Sequence, residues 1–271
     1  MPRNTSEGDL PHIAIATGSS DAMECVLRKM GIADTEFTNP GGSGSISLYK
    51  ENGPTIDHTT PAASTLYNNE TTMAQYDEIL LPCPGAPTPR PAAETANLVN
   101  YANAGGRILT SHDGYTWLYQ TLPFGGTAAW DPGHNQSIAS ATVQVQLPPY
   151  GPPQILTDWL NLLGALANPT PPELTVKVIR HDVDSVSTDA VPWLAGSDPA
   201  DGTPMVSMFS FDTPVAASNA VGRVIFDDFH VEDIVSSGAT FPNECGPAAA
   251  LSAQEKLFEY SMYNLDACIS P

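Results

Sequence analysis

Two short stretches carry residue types that can do chemistry. In RILTSHDGYTWLY, residues 107–119, an apolar run ends in His112 and Asp113. In VIFDDFHVED, residues 224–233, Asp228, His230 and Glu232 recur at every second position. An extended chain turns alternate side chains to one face, so these three share a side if the stretch is a strand. Imidazole beside carboxylate suits proton transfer near neutral pH, and imidazoles with a carboxylate suit a zinc-class divalent ion. The catalytic candidates are therefore His112, Asp113, His230 and Glu232, and the metal candidates His112, His230 and Asp228. Rings within about 8 Å would share a metal or a substrate hydroxyl, directly or through one water, given metal–nitrogen bonds near 2 Å. The plainer alternative is a pair of neutral histidines hydrogen-bonded to loop carbonyls or to Asp113.

Both stretches depend on strands that deliver them to one edge of a sheet. HIAIATG is a short apolar run ending in Gly, followed by Ser20 as a helix cap and by Met23, Val26, Leu27 and Met30 at helical spacing. EFTNP reads as a second strand and SISLY as a short edge strand. A helix is predicted over residues 64–75, EILLPCPG as a buried strand, and a helix from Pro91 to the Gly105-Gly106 stop. This alternation specifies a mainly parallel sheet covered on both faces: an α/β, flavodoxin-like three-layer sandwich. Its strands lie near residues 12, 36, 78, 107 and 222, with residues 12–18 and 107–111 expected as parallel neighbours.

Residues 121–140 read as loop, and ATVQVQL, ELTVKVIRHDV and PMVSMFSFDTPV as added, partly antiparallel strands. Residues 121–220 thus decorate one domain spanning 11–271, preceded by a disordered or engineered tail, 1–10. Pro152-Pro153 open an amphipathic helix, and Ser252 with Glu255 forms a capping box for a last helix whose stripe is Phe258, Met262, Leu265 and Ile269.

On this order of elements, AGGRILTSHDG resembles the nucleophile elbow of the class I glutamine amidotransferase-like superfamily, where strand, G-x-C-x-G and helix follow one another. Aligning on Gly114 puts His112 where that cysteine stands, so the resemblance implies no glutaminase activity. A Gly-Gly, strand, His elbow with a later histidine after a G-R-V strand is more similar to the ThuA-like (trehalose-utilisation) branch. The matching positions are Gly105, Gly106, His112, Gly222-Arg223-Val224 and His230. The resemblance implies a carbohydrate-related role and metal, zinc for instance, at the histidines.

Thirty acidic against ten basic residues give a net charge of −20, which repels nucleic acid and anionic lipid. No run of apolar residues is long enough to span a bilayer, and the polar opening MPRNTSEGDL carries no signal-peptide pattern. Four cysteines, low Lys content and acidity suggest an exported, extracytoplasmic protein with two disulfides. Cys245 and Cys268 flank the last helix and are expected to pair, leaving Cys25 with Cys83. Cys83 at a strand end also has the position of a reactive thiol, but flanking prolines and no local base favour the disulfide.

HDVDSVSTD, residues 181–189, spaces acids like a crude calcium loop without the central Gly or final Glu, and reads as a solvated loop. Tyr115, Trp117 and Trp130 are candidate substrate-binding aromatics, and Trp193 a further wall or core residue. Two functions fit: an exported metal-assisted or histidine-based enzyme acting on a carbohydrate or small polyol, or a non-catalytic binding or accessory domain.

Overall fold

The computed structural model describes residues 2–146, 155–231, 240–247, 249–265 and 267–269. Its strands are β1 (Ile13–Thr17), β2 (Phe37–Thr38), β3 (Ile46–Lys50), β4 (Glu78–Leu81), β5 (Arg107–Ser111), β6 (Ala128–Val145), β7 (Asn168–Pro169), β8 (Pro172–Val186), β9 (Ala190–Ser197), β10 (Pro204–Thr213) and β11 (Gly222–Asp227). The helices are α1 (Met23–Lys29), α2 (Ser64–Tyr67), α3 (Glu70–Met73), α4 (Ala92–Asn103), α5 (Ile155–Leu162) and α6 (Ala253–Leu265).

Among the described residues the strands form one eleven-stranded sheet, ordered β2-β3-β1-β4-β5-β11-β10-β9-β6-β8-β7. From β2 to β11 every pairing is parallel. From β11 onward every pairing is antiparallel. In chain order, the five main parallel strands are arranged second, first, third, fourth, fifth, which is the flavodoxin-like order, with its switch point between β1 and β4. Residues 12–18 and 107–111 are therefore parallel but not neighbours, because β4 lies between them. SISLY, expected at the edge, is the buried partner of β1, and EFTNP supplies only the two-residue edge strand β2.

Alternation along the parallel strands fills both layers. Ile13, Ile15, Leu80, Leu109 and Ile225 pack with Met23 and Leu27 of α1 and Phe258 and Met262 of α6. Ala14, Ala16, Ile79, Leu81, Ile108 and Val224 face the other way, onto Leu66, Leu98 and Ala102. Apolar side chains on both faces are what parallel strands under two helical layers require. α4 starts after Pro91, where no amide hydrogen is needed, and ends before Gly105, whose φ of +111° a side chain would resist. The Ser252–Glu255 capping box forms as expected, each backbone N–H donating to the other's side chain at 2.7 and 3.2 Å. Ser20 caps nothing; α1 begins at Met23 after Ala22, which has no side-chain cap.

The antiparallel half departs most from the expectation. The span read as loop, 121–140, becomes β6 from Ala128 onward, and the acidic HDVD run is not a loop but the end of β8. Long antiparallel pairing hides from a local reading because β6 carries register shifts at 129–138 that break its alternation. The opening residues are tied to the body: the Ala33 N–H donates to the Arg3 carbonyl and the Thr5 N–H to the Glu36 carboxylate. The helix expected after Pro152-Pro153 is α5, Ile155–Leu162; the two prolines themselves lie outside the described residues.

The cysteines pair differently from the expectation. Cys25 of α1 is bonded to Cys245, while Cys83 is a buried thiol and Cys268 an exposed one. Two layers decide this. Cys25 and the 240–247 segment meet on the α1–α6 face of the sheet, whereas Cys83 follows β4, between β1 and β5, and is a free thiol. No described helix is long and apolar enough to cross a membrane.

Candidate functional site

The carboxyl ends of β1, β4, β5 and β11 converge where an open α/β sheet places its ligands. Cys83 follows β4 there, against the end of β1. A Cβ on Gly18 would come within 2.1 Å of the Cys83 carbonyl oxygen, so glycine at that position is what permits the approach. The Cys83 amide donates to Ser111 Oγ at 3.0 Å, and that hydroxyl donates to Asp21 at 2.6 Å. Asp21 also accepts from the Val231 amide at 3.1 Å, so one buried carboxylate ties β1, β5 and the end of β11 together.

β5 ends at Ser111, and His112, whose φ of +47° lies in the left-handed region, opens a 3₁₀ turn, His112–Trp117. A non-glycine residue held there is strained, and such strain gathers at functional sites. The turn aims the His112 ring inward. Its Nδ1 is 3.3 Å from Cys83 Sγ and 3.6 Å from Asp113 Oδ2, and its ring centroid is 4.2 Å from that of His230. One donor atom each from Cys83, His112 and His230 lie within 4.8 Å of one another. The expected meeting of the two histidines is observed, and Cys83, expected in a disulfide in preference to a reactive thiol, joins them as a free thiol. The local base said to be lacking at Cys83 is His112, brought from 29 residues away.

The carboxylates divide their work. Asp113 Oδ1 is ion-paired with Arg180 Nη1 of β8 at 3.2 Å, and Oδ2 accepts from Cys83 Sγ at 3.6 Å. Arg180 also holds Asp182 through Nε at 2.6 Å. Asp228, expected beside the histidines, turns to the Asp182 amide, which donates to it at 2.8 Å; it is a brace of the Arg180 network and no member of the donor cluster. Glu232 lies outside the described residues. Of the aromatics, Tyr115 lies under Arg180 at 5.4 Å. Trp117 is core, only 1% exposed, with the Arg90 guanidinium over its ring and Tyr67 packed edge-on, and has no surface to offer a ligand. Trp130 packs on Tyr119, Phe209 and Phe226, and Trp193 is buried with its indole N–H donating to Ser210.

Burial sets the charge state of the cluster. It pushes the Cys83 thiol far above its usual range, and the Asp113 charge adds to this. It lowers His230 to about 3, with His112 contributing, so that ring is neutral. Burial also opposes ionisation of Asp113, but its hydrogen bond with His112, the charge of that ring and the Arg180 charge outweigh it and hold the carboxyl low. Nε2 of His230 is buried without a hydrogen-bond partner. A buried polar nitrogen left without a partner costs about 1–3 kcal/mol, and beside a thiol and a second imidazole it has the chemistry of a metal donor set. Donor atoms on one zinc stand roughly 3–4 Å apart, from bonds of about 2.0–2.3 Å. The Cys83–His112 separation of 3.3 Å fits.

A cavity of about 240 Å³ reaches His230 from the α6 side, lined by Lys177, Val178, Ser252 and Gln254 among others. A larger one of about 680 Å³ lies at the opposite edge, beside Tyr76 and Gly106, away from this chemistry.

No family model matches the sequence, and no curated protein matches it. Among solved structures the chain is similar to the N-terminal domain of mmIFT52, at 11% identity and a TM-score of 0.49 over 96% of this chain and 99% of that one. It is similar to a cytoplasmic protein from Salmonella typhimurium at 9% identity and a TM-score of 0.47, covering 94% and 99%. It is also similar to a thua-like protein from Bacteroides uniformis at 12% identity and a TM-score of 0.47, covering 93% and 91%. At such values the functional reading rests on the crevice itself.

Proposed function

We propose that the crevice is a metal-assisted catalytic centre for a small polyhydroxylated substrate, with Cys83, His112 and His230 holding a zinc-class divalent ion. The observation that carries it is the convergence of three donor atoms, from three strand ends, within 4.8 Å of one another. When bound, an ion of this class would supply Lewis-acid chemistry, polarising a substrate oxygen or acidifying a water near neutral pH. The chain's own residues supply the rest. His230, neutral, offers a lone pair without first losing a proton. Cys83 would bind as a thiolate, its proton displaced by the ion, and Asp113, 3.6 Å away and braced by Arg180, orients the thiol by accepting its hydrogen bond. The 240 Å³ cavity is smaller than drug-sized sites, and its polar walls suit the hydroxyls of a single sugar or polyol. The carbohydrate class follows the ThuA-like resemblance of the elbow, and export is proposed from the acidity and the Cys25–Cys245 bond.

The test is spectroscopic and chemical. Cobalt(II) added to chelator-dialysed protein should give thiolate-to-metal absorption that Cys83→Ser abolishes and His230→Ala weakens. Metal-loaded protein should then transform one member of a panel of monosaccharides and polyols. Absence of the thiolate band would overturn the metal assignment. The second reading, a non-catalytic binding domain, draws on the burial of His112, only 9% exposed, and would replace catalysis if a polyol bound unchanged.

A further inference from the structure

A second set of histidines meets in the antiparallel half of the sheet, and the crevice does not use it. Successive residues of an extended strand face opposite ways. Arg180 of β8 faces Asp113, and His181 turns instead to the segment between β9 and β10. There His181 Nδ1 lies 3.1 Å from Asp198 Oδ2, and its Nε2 3.1 Å from Asp184 Oδ1. His134, carried by the irregular stretch of β6, packs tilted against His181 with ring centroids 4.2 Å apart. Its Nδ1 is 3.2 Å from Asp131 and its Nε2 2.9 Å from Asp201.

Both nitrogens of both rings therefore face carboxylate oxygens. A neutral imidazole carries one N–H and one lone pair, so each ring can satisfy only one of its two carboxylates. For His181 the other contact then sets lone pair against lone pair, whereas His134 Nε2 also has the Thr203 hydroxyl 3.1 Å away. The carboxylates are also oriented from behind. Asp198 Oδ1 accepts from the Ala200 amide at 2.8 Å and from Asn135 Nδ2 at 3.1 Å, leaving Oδ2 for His181. Asp201 Oδ1 accepts from the Thr203 amide and hydroxyl at 2.9 and 2.7 Å, leaving Oδ2 for His134. Such outer hydrogen bonds are how ligating carboxylates are fixed around metals. His181 is 0% exposed and Asp198 1% exposed, so bulk water does not relieve the conflict at their shared contact.

We propose that His134, His181 and Asp198 form a second divalent metal site, with Asp201 as the nearest further carboxylate. One donor atom from each of the three lies within 4.8 Å of the others. The 3.1 Å between His181 Nδ1 and Asp198 Oδ2 matches adjacent ligands on an ion with bonds of about 2.1 Å. Two imidazoles with carboxylates and no thiolate select a zinc-class transition ion over calcium or magnesium, which take oxygen, and over copper(I), which takes sulfur. The ion would neutralise part of a ring of four aspartates in a chain of net charge −20, and would pin β6 and β8 to the β9–β10 connection.

Cys83→Ser removes the crevice donor set and isolates this one. In that background chelator-dialysed protein should take up one equivalent of zinc by calorimetry, and its cobalt(II) form should show no thiolate band. Adding His134→Gln, at a partly exposed ring, should remove that equivalent at micromolar zinc; Asp198→Asn should do the same. A Cys83→Ser protein that binds no zinc, or one whose zinc survives His134→Gln, would overturn the site. In either case, thiolate absorption in the unsubstituted chain reports the crevice separately, so failure here leaves that reading standing.

Discussion

Cys83 Sγ and His112 Nδ1 stand 3.3 Å apart at the carboxyl ends of adjacent parallel strands. Neither has a partner of the other's type near it in sequence. The contact exists because β4 and β5 pair in register, Leu81 beside Thr110, and the two chains leave the sheet side by side.

Thiol accounting follows directly. Unreduced native protein should react with a thiol reagent once and quickly, at exposed Cys268, and a second time only on unfolding, at Cys83. Peptide mapping without reduction should recover Cys25 joined to Cys245. A recovered Cys245–Cys268 peptide would contradict the packing of α1 against the segment before α6.

Removing that bond tests its share of stability. Cys25→Ser with Cys245→Ser should lower the unfolding free energy by about 2–4 kcal/mol, because the bond closes a long loop in the unfolded chain. Urea denaturation of the two proteins, compared without reductant, measures it.

Arg180 is buried among carboxylates, pairing with Asp113 and Asp182. Arg180→Met should cost about 3–5 kcal/mol, since it strands buried negative charge. Arg180→Met with Asp182→Asn should recover part of that loss in the same denaturation assay; full additivity of the two changes would show that the pair does not interact.

Asp227 is fully buried, and its carboxyl is pushed well above its ordinary range by desolvation and then by the charge of Asp21. A group whose folded pKa is raised contributes stability below its unfolded pKa, about 3.9, and loses it as pH climbs through the folded value. Stability should therefore decline with rising pH above about 4 from this group, and Asp227→Asn should flatten that part of the profile. Matching slopes for the two proteins in pH-dependent urea midpoints would refute the assignment.

Gly18→Ala would place a Cβ 2.1 Å from the Cys83 carbonyl. Relieving that clash should cost about 1–3 kcal/mol and move Cys83 away from His112. The signature is weaker cobalt-thiolate absorption alongside the lower melting temperature.

The parallel half was legible in the sequence because its signals are local. Apolar runs of four or five residues, Pro91 before α4, Gly105 after it and the Ser252–Glu255 cap each act within a few residues, and so do the strand breaks that throw out His112 and His230. A strand that ends at the carboxyl edge of a parallel sheet must deliver its next residue there, so the meeting of the two histidines could be read without coordinates. Order across the sheet could not. Which strand lies beside β1, which sulfur faces Cys25, and whether Asp228 turns to His230 or to the Asp182 amide depend on packing between segments far apart in sequence. The same holds for His134 of β6, His181 of β8 and Asp198 of the β9–β10 connection, which read singly as ordinary polar residues. Long-range pairing is set by the joint burial of two faces and by ion pairs such as Arg180–Asp113, and neither leaves a mark in a short window of sequence.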